Sequence, residues 1–283
     1  MHIPVLKKEV IDWLDPQKGQ HFIDGTFHMG GHAEAILERI GEKGRILGIE
    51  LEKEIFKKAS ERYKNDKRIL LINDSYANLK EIVKKNDFKN ISGILLDIGI
   101  SSWHVDESGK GFTFKKDEPL NMLFSEEGVS AEDIVNTYSE KDLEKIFREY
   151  GEERKSRKIA RDIIEERRRG PIKSTFKLSE IIKRSVRASR THPATRVFQA
   201  LRIEANKELE NLEKVLPQAL DVLEKNGKIA VISFHSLEDR IVKEFSKNNK
   251  VKILTKKPII PAGEEIIRNP RSRSAKLRVI QKI

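Results

Sequence analysis

Hydrophobic residues in the first hundred positions alternate between two rhythms. His21–Phe27, Arg45–Leu51, Ile69–Asp74 and Gly93–Ile98 are short runs with apolar residues at consecutive positions, the pattern of strands buried on both faces. Between them apolar residues recur at helical spacing, as in Ala33, Ile36, Leu37 and Ile40. Strand, helix, strand in this order predicts βαβ units and a parallel sheet. The rhythm stops near Asp106. From there to Thr191 no run reads as a strand, whereas Ser130 with Asp133 and Ser139 with Asp142 have capping-box spacing, and Gly151 closes the second of these helices. Leu178, Ile181, Ile182, Ser185 and Val186 add one more amphipathic stripe. The α/β pattern then returns, with Leu209, Leu212, Leu216, Leu220 and Leu223 on one helix and strands at Lys228–Phe234, Val251–Lys256 and Lys276–Lys282. The expected fold is a Rossmann-like α/β domain with a doubly wound, mostly parallel sheet (1–105 and 192–283), interrupted by an inserted all-α domain (106–191).

Charge sharpens this division. The 283 residues carry a formal net charge of +11, and residues 154–190 alone hold 14 Lys and Arg against four acids. The stretch from Lys256 to the end adds eight bases against two acids, so the positive potential is local, as a phosphate-binding surface requires. There is no cysteine, which removes disulfides, thiolate zinc sites and iron–sulfur clusters. No apolar run approaches the ~20 residues of a membrane span, and no secretory signal follows Met1, so a cytoplasmic protein without membrane contact is expected.

Candidate chemistry gathers where strands end. Asp24-Gly25-Thr26-Phe27-His28-Met29-Gly30-Gly31-His32 joins the first strand to a helix. Glycines there let the backbone approach a ligand, and the helix N-terminus favours negative charge. Glu50 ends the second strand, where a carboxylate accepts from ribose hydroxyls. The fourth strand ends in Asp97-Ile98-Gly99-Ile100-Ser101-Ser102, placing Asp97 to contact either a cofactor or its acceptor. Past the strand at Lys228–Phe234, His235-Ser236-Leu237-Glu238-Asp239 reads equally as acid–base chemistry and as a helix cap with acids in its first turn. Arg196, after His192-Pro193, and Arg271 and Arg273, after Asn269-Pro270, suit phosphate contacts, as do Arg167, Arg168 and Arg169.

Taken together these strings resemble the ribosomal RNA small subunit methyltransferase H family, which methylates the exocyclic nitrogen of a decoding-region cytidine in bacterial 16S rRNA. The likeness runs nearly end to end, through His2-Ile3-Pro4-Val5-Leu6, Gly30-Gly31-His32, Asp97-Ile98-Gly99-Ile100-Ser101-Ser102, Glu149-Tyr150-Gly151-Glu152-Glu153-Arg154, His192-Pro193-Ala194-Thr195-Arg196, Phe198-Gln199-Ala200-Leu201-Arg202-Ile203, Ser233-Phe234-His235-Ser236-Leu237-Glu238-Asp239-Arg240 and Ser274-Ala275-Lys276-Leu277-Arg278. The resemblance implies a class I methyltransferase that uses S-adenosylmethionine, with Gly30, Gly31, His32, Glu50, Tyr76, Asp97 and His104 at cofactor-contacting positions and 16S rRNA or the small ribosomal subunit as partner. Glu50 stands where the family usually has Asp, His28 where glycine is common, Tyr76 where Phe is common, Trp103 and His104 where Pro and Gln are usual, and Asn121 where Asp is frequent. Asp97, His235 and Asp239 are the candidate proton acceptors, and no metal site is expected. Two competing classes share parts of the pattern. A nicotinamide-dependent dehydrogenase would use the same turn and acid but has no need of a basic helical insertion, and an RNA-binding assembly factor would keep the basic surface without a cofactor. Methylation at cytosine C5 needs a thiolate, which this chain lacks.

Overall fold

The computed structural model describes residues 4–186 and 192–283. His2 and Ile3 of the resemblance, and Arg187 and Arg190 of the basic stretch, lie outside them. The chain divides into two compact units, Met1–Gly99 with Leu209–Ile283, and Ile100–Glu208.

In the first unit, α1 (Lys7–Leu14), β1 (His21–Asp24), α2 (Gly31–Ile40), β2 (Arg45–Glu50), α3 (Lys53–Tyr63), β3 (Ile69–Asn73), α4 (Leu79–Lys85) and β4 (Ile91–Asp97) follow one another. The second unit contributes α5 (Ser102–Asp106), α6 (Ala131–Thr137), α7 (Glu140–Glu149), α8 (Ser156–Arg167), α9 (Thr175–Ser185) and α10 (Ala194–Asn206). The first unit is completed by α11 (Glu208–Val222), β5 (Leu223–Ser233), α12 (Ser236–Asn248), β6 (Val251–Ile253), α13 (Gly263–Arg268) and β7 (Lys276–Lys282).

The seven strands form one sheet in the order β3-β2-β1-β4-β5-β7-β6. The pairs from β3 to β5 are parallel, and β7 runs antiparallel to both β5 and β6. Successive residues of each strand feed opposite faces, which explains the unbroken apolar runs. Phe22, Ile46, Leu95 and Ile232 pack with α1 and α2 on one side, while Ile23, Leu47, Ile94 and Val231 pack with α4 and α11 on the other. Because β1 pairs with β2 on one flank and β4 on the other, strand order reverses between β1 and β4, and open α/β sheets bind ligands beyond the carboxyl ends at such a point.

The second unit has its own core, built from Leu143, Ile146 and Phe147 of α7, Ile159 and Ile163 of α8, and Leu178, Ile181 and Ile182 of α9. Ser130 and Ser139 accept hydrogen bonds from the Asp133 and Asp142 amides, as their spacing predicts. The units divide at 100 and 208 rather than at 106 and 191, because α10 buries Val197, Phe198 and Leu201 in the helical core. Among the described residues no helix is long and apolar enough to cross a membrane.

Candidate active site

The carboxyl ends of β1, β2 and β4 bring Asp24, Glu50 and Asp97 together, all buried. After Asp24 the chain turns sharply. The Gly25 amide donates to the Leu95 carbonyl at 2.9 Å and the Phe27 amide to the Ile49 carbonyl at 2.9 Å, so the turn is stitched to both neighbouring strands. Thr26 Oγ1 accepts from the Asp97 amide at 2.7 Å and fixes the end of β4. The turn closes on Gly30, in the left-handed region at φ 77°, where a β-carbon would meet the Tyr63 hydroxyl at 2.4 Å; one on Gly31 would meet Pro4 Cγ at 2.5 Å. These glycines are dictated by close packing as much as by any ligand.

Both histidines of the turn fall among the acids. His32, in the first turn of α2, is buried, and among the described residues neither ring nitrogen has a hydrogen-bond partner. Its Nε2 stands 3.6 Å from Asp97 Oδ2, beyond hydrogen-bonding distance, and Asp97 Oδ1 is also unpartnered. Buried polar atoms without partners cost ~1–3 kcal/mol each, so this group carries hydrogen-bonding capacity that the described residues leave unused. His28 is differently placed. Its amide donates to Glu50 Oε2 at 2.8 Å, its Nδ1 lies 3.3 Å from the same oxygen, and Glu50 Oε1 accepts from the Glu52 amide at 2.8 Å. Burial opposes the charge on His28, but Glu50, with Asp97 and Asp24 behind it, outweighs burial and raises the imidazole to about 9. Burial likewise pushes the Asp24 carboxyl up to about 6, against the pull of His32 and His28. A buried cluster of three acids and two histidines at a switch point has the marks of a functional site.

The sequence pattern of the MraW methylase family matches residues 1–283. The chain belongs to the MraW methylase family. Relatives named ribosomal RNA small subunit methyltransferase H from two Clostridium botulinum strains, Loch Maree and Kyoto, are each 42% identical over 305 aligned residues, covering all of this chain and 99% of the relative. Among solved structures, a candidate methyltransferase of Streptococcus mutans in complex with SAH aligns with a TM-score of 0.50 at 11% identity, over 99% of both chains, and shares the fold. The described residues of this methylase-family chain thus share a seven-stranded α/β fold with that structure.

For a member of that family, the structure sorts the expected site residues into three groups. Gly30, Gly31, His32, Glu50 and Asp97 gather at the β1–α2 turn and the carboxyl ends of β2 and β4, and Tyr76, in a short 3-10 turn, adjoins them, with its Cβ 3.6 Å from the place of a β-carbon on Gly25. His104 belongs to the second unit, where Ser101 and His104 form a capping box and the ring packs edge-on against Phe112 and Phe124. His235 and Asp239 lie at the start of α12. His235 caps that helix with Glu238, its Nε2 3.0 Å from Glu238 Oε1, and Asp239 takes a forked bond from Arg278 at 2.6 and 3.2 Å.

The arginines divide as well. Arg167 donates to the carbonyls of Val135 at 3.0 Å and Tyr138 at 2.7 Å, terminating α6, while Arg168 is exposed. Arg169, with Lys177 and Arg184, surrounds Glu166. Arg196 is exposed, 3.7 Å from Glu153, and Arg271 and Arg273 are exposed on a 3-10 turn, Pro270–Ser274. Sequence reasoning passed over Asp24 and Thr26, although both stand in the glycine string. Neither has a local signature, since the role of each depends on a strand 71 residues away in sequence for Thr26 and on burial for Asp24.

Proposed function

We propose that this chain transfers the methyl group of S-adenosylmethionine to the exocyclic N4 of a cytidine in the decoding region of 16S rRNA, presented as rRNA or as the small ribosomal subunit. The observation that carries the reading is the buried His32–Asp97 group, without hydrogen-bond partners among the described residues, at the switch point of a methylase-family sheet. Relatives named as rRNA small subunit methyltransferases, matched over 99% of their own length, support the substrate class.

The residues fit the cofactor. Gly30 and Gly31 place the N-terminus of α2 beside the acids, Glu50 is the acceptor for ribose hydroxyls, His32 and Asp97 hold hydrogen-bonding capacity that no described residue uses, and Tyr76 borders the turn at Gly25. His104 enters the set on resemblance alone. When bound, S-adenosylmethionine supplies an electrophilic methyl group on a sulfonium. The amino group of cytosine is a poor nucleophile because its lone pair is delocalised into the ring, so the protein's contribution is to position it and to take its proton. Asp97 Oδ1 is suited to that role: it is a free carboxylate oxygen, on a strand end locked by Thr26. His235 and Asp239 are the weaker acceptors, since Glu238, Arg278 and Lys276 engage them. Arg168, Arg169, Arg196, Arg271 and Arg273 serve as phosphate contacts, and Arg167 supports that grip by holding α6.

The test is incubation with labelled S-adenosylmethionine and small ribosomal subunits from cells lacking the enzyme, followed by mapping of the product. The expected outcome is label on N4 of one 16S cytidine. Label on another atom overturns the acceptor, and no label on any ribosomal RNA overturns the activity.

A further inference from the structure

His28 occupies the turn between β1 and α2 with φ 48°, a left-handed backbone that is costly for a residue with a β-carbon. That conformation aims its amide at Glu50 Oε2 and brings the ring to the same oxygen, at 2.8 and 3.3 Å. With the Glu52 amide on Oε1, three donor groups crowd a side chain that is 5% exposed and has about four acceptor positions. A ribose diol needs a position on each oxygen. The two amides are fixed by the chain, and only the His28 ring can leave, by rotating its side chain away from the carboxylate.

We propose that His28 is a latch on Glu50, a positioning residue whose ring holds the carboxylate until the ribose of the adenosyl cofactor displaces it. This rests on the methyl-donor reading of the site. The groups facing His28 are Glu50 at the end of β2, Asp97 at the end of β4 and Asp24 at the end of β1, and His32 on α2 shares the last two. With its imidazole at about 9, the latch is charged at neutral pH. A ring parted from Glu50 falls toward its ordinary value of about 6.5, so binding releases a proton and tightens as pH rises toward 9. Release of one proton limits the slope to about tenfold per pH unit.

Calorimetric titration with 5′-methylthioadenosine isolates the effect, because this probe carries the adenosine and its ribose but no amino-acid group that titrates in this range. The wild type is compared between pH 7 and 9 with His28→Gly, which suits the left-handed backbone and keeps the amide bond to Glu50, and with His28→Asn, which tolerates the same backbone without charge. The expected result is a wild-type affinity that rises up to about tenfold per pH unit with close to one proton released, and variants that bind more tightly at pH 7 with flat profiles. A flat wild-type profile, or a slope that survives in both variants, overturns the latch and leaves the methyl-donor reading standing. Failure of all three proteins to bind the probe at millimolar concentration overturns both.

Discussion

Two strand-to-helix corners in the same unit, β1 to α2 and β5 to α12, both carry histidine and acids and both read as chemistry in the sequence. Their hydrogen bonding separates them. At the second corner, Glu238 accepts from the Phe234 amide at 2.7 Å and caps the helix with His235, and Asp239 ties α12 to β7 through Arg278. At the first corner, among the described residues, both His32 ring nitrogens and Asp97 Oδ1 lack a hydrogen-bond partner, as His235 Nε2 does at the second, where Glu238 Oε1 stands 3.0 Å away. The same residue types cap a helix at one corner and gather three acids and two histidines at the other. What distinguishes the two corners is how far the acids are tied to the helix cap and to Arg278, not the presence of acids and histidines.

The contrast breaks most sharply at the two aspartates. Replacing Asp97 by Asn should lower methyl transfer to small subunits by ~100-fold or more, the usual weight of a proton acceptor, with an unchanged unfolding midpoint. Activity within about tenfold of wild type would remove Asp97 from the role. Replacing Asp239 by Asn should do the opposite. Weakening its part-buried pair with Arg278 should cost about 1–3 kcal/mol in urea unfolding, with turnover per folded molecule within a few-fold of wild type. A smaller effect comes from pH. His28 has a folded value of about 9, above its unfolded value, so its contribution is fully present below about 6.5 and is lost as pH rises through 9. Unfolding of the cofactor-free protein should weaken by about 2 kcal/mol between pH 7 and 9, and His28→Asn should flatten that loss. A profile identical in wild type and variant would contradict the pairing with Glu50. The smallest effect concerns the arginines. Arg169→Ala should reduce the slope of RNA affinity against salt by about one, whereas Arg167→Ala should chiefly lower stability, because its guanidinium terminates α6.

Much of this was legible in the sequence. The central strands β2 and β4 and the second half of β5 announced themselves as runs of apolar residues, since a strand covered on both faces has no polar side to show, whereas the first half of β5, from Leu223, read as the end of a helix. The two capping serines marked their helices because a cap is a local bond between neighbours in sequence. The allegiance of α10 was not legible: Val197, Phe198 and Leu201 have helical spacing, and spacing does not say which core receives them. The pairing of Asp239 with Arg278 across 39 residues was equally hidden, as was the left-handed turn that sets His28 on Glu50. Sequence located the acids and histidines, but only the register of the sheet decides which of them lack partners.

The central claim is that the glycine turn and the His32–Asp97 group hold the methyl donor. Calorimetric titration of S-adenosylmethionine into wild type, Asp97→Ala and Asp239→Asn tests it most directly. The account expects one site per chain in the wild type, at least a tenfold weakening in Asp97→Ala from loss of a charged hydrogen-bond partner, and little change in Asp239→Asn. Absence of binding to the wild type at millimolar concentration, or equal affinity in wild type and Asp97→Ala, would contradict it.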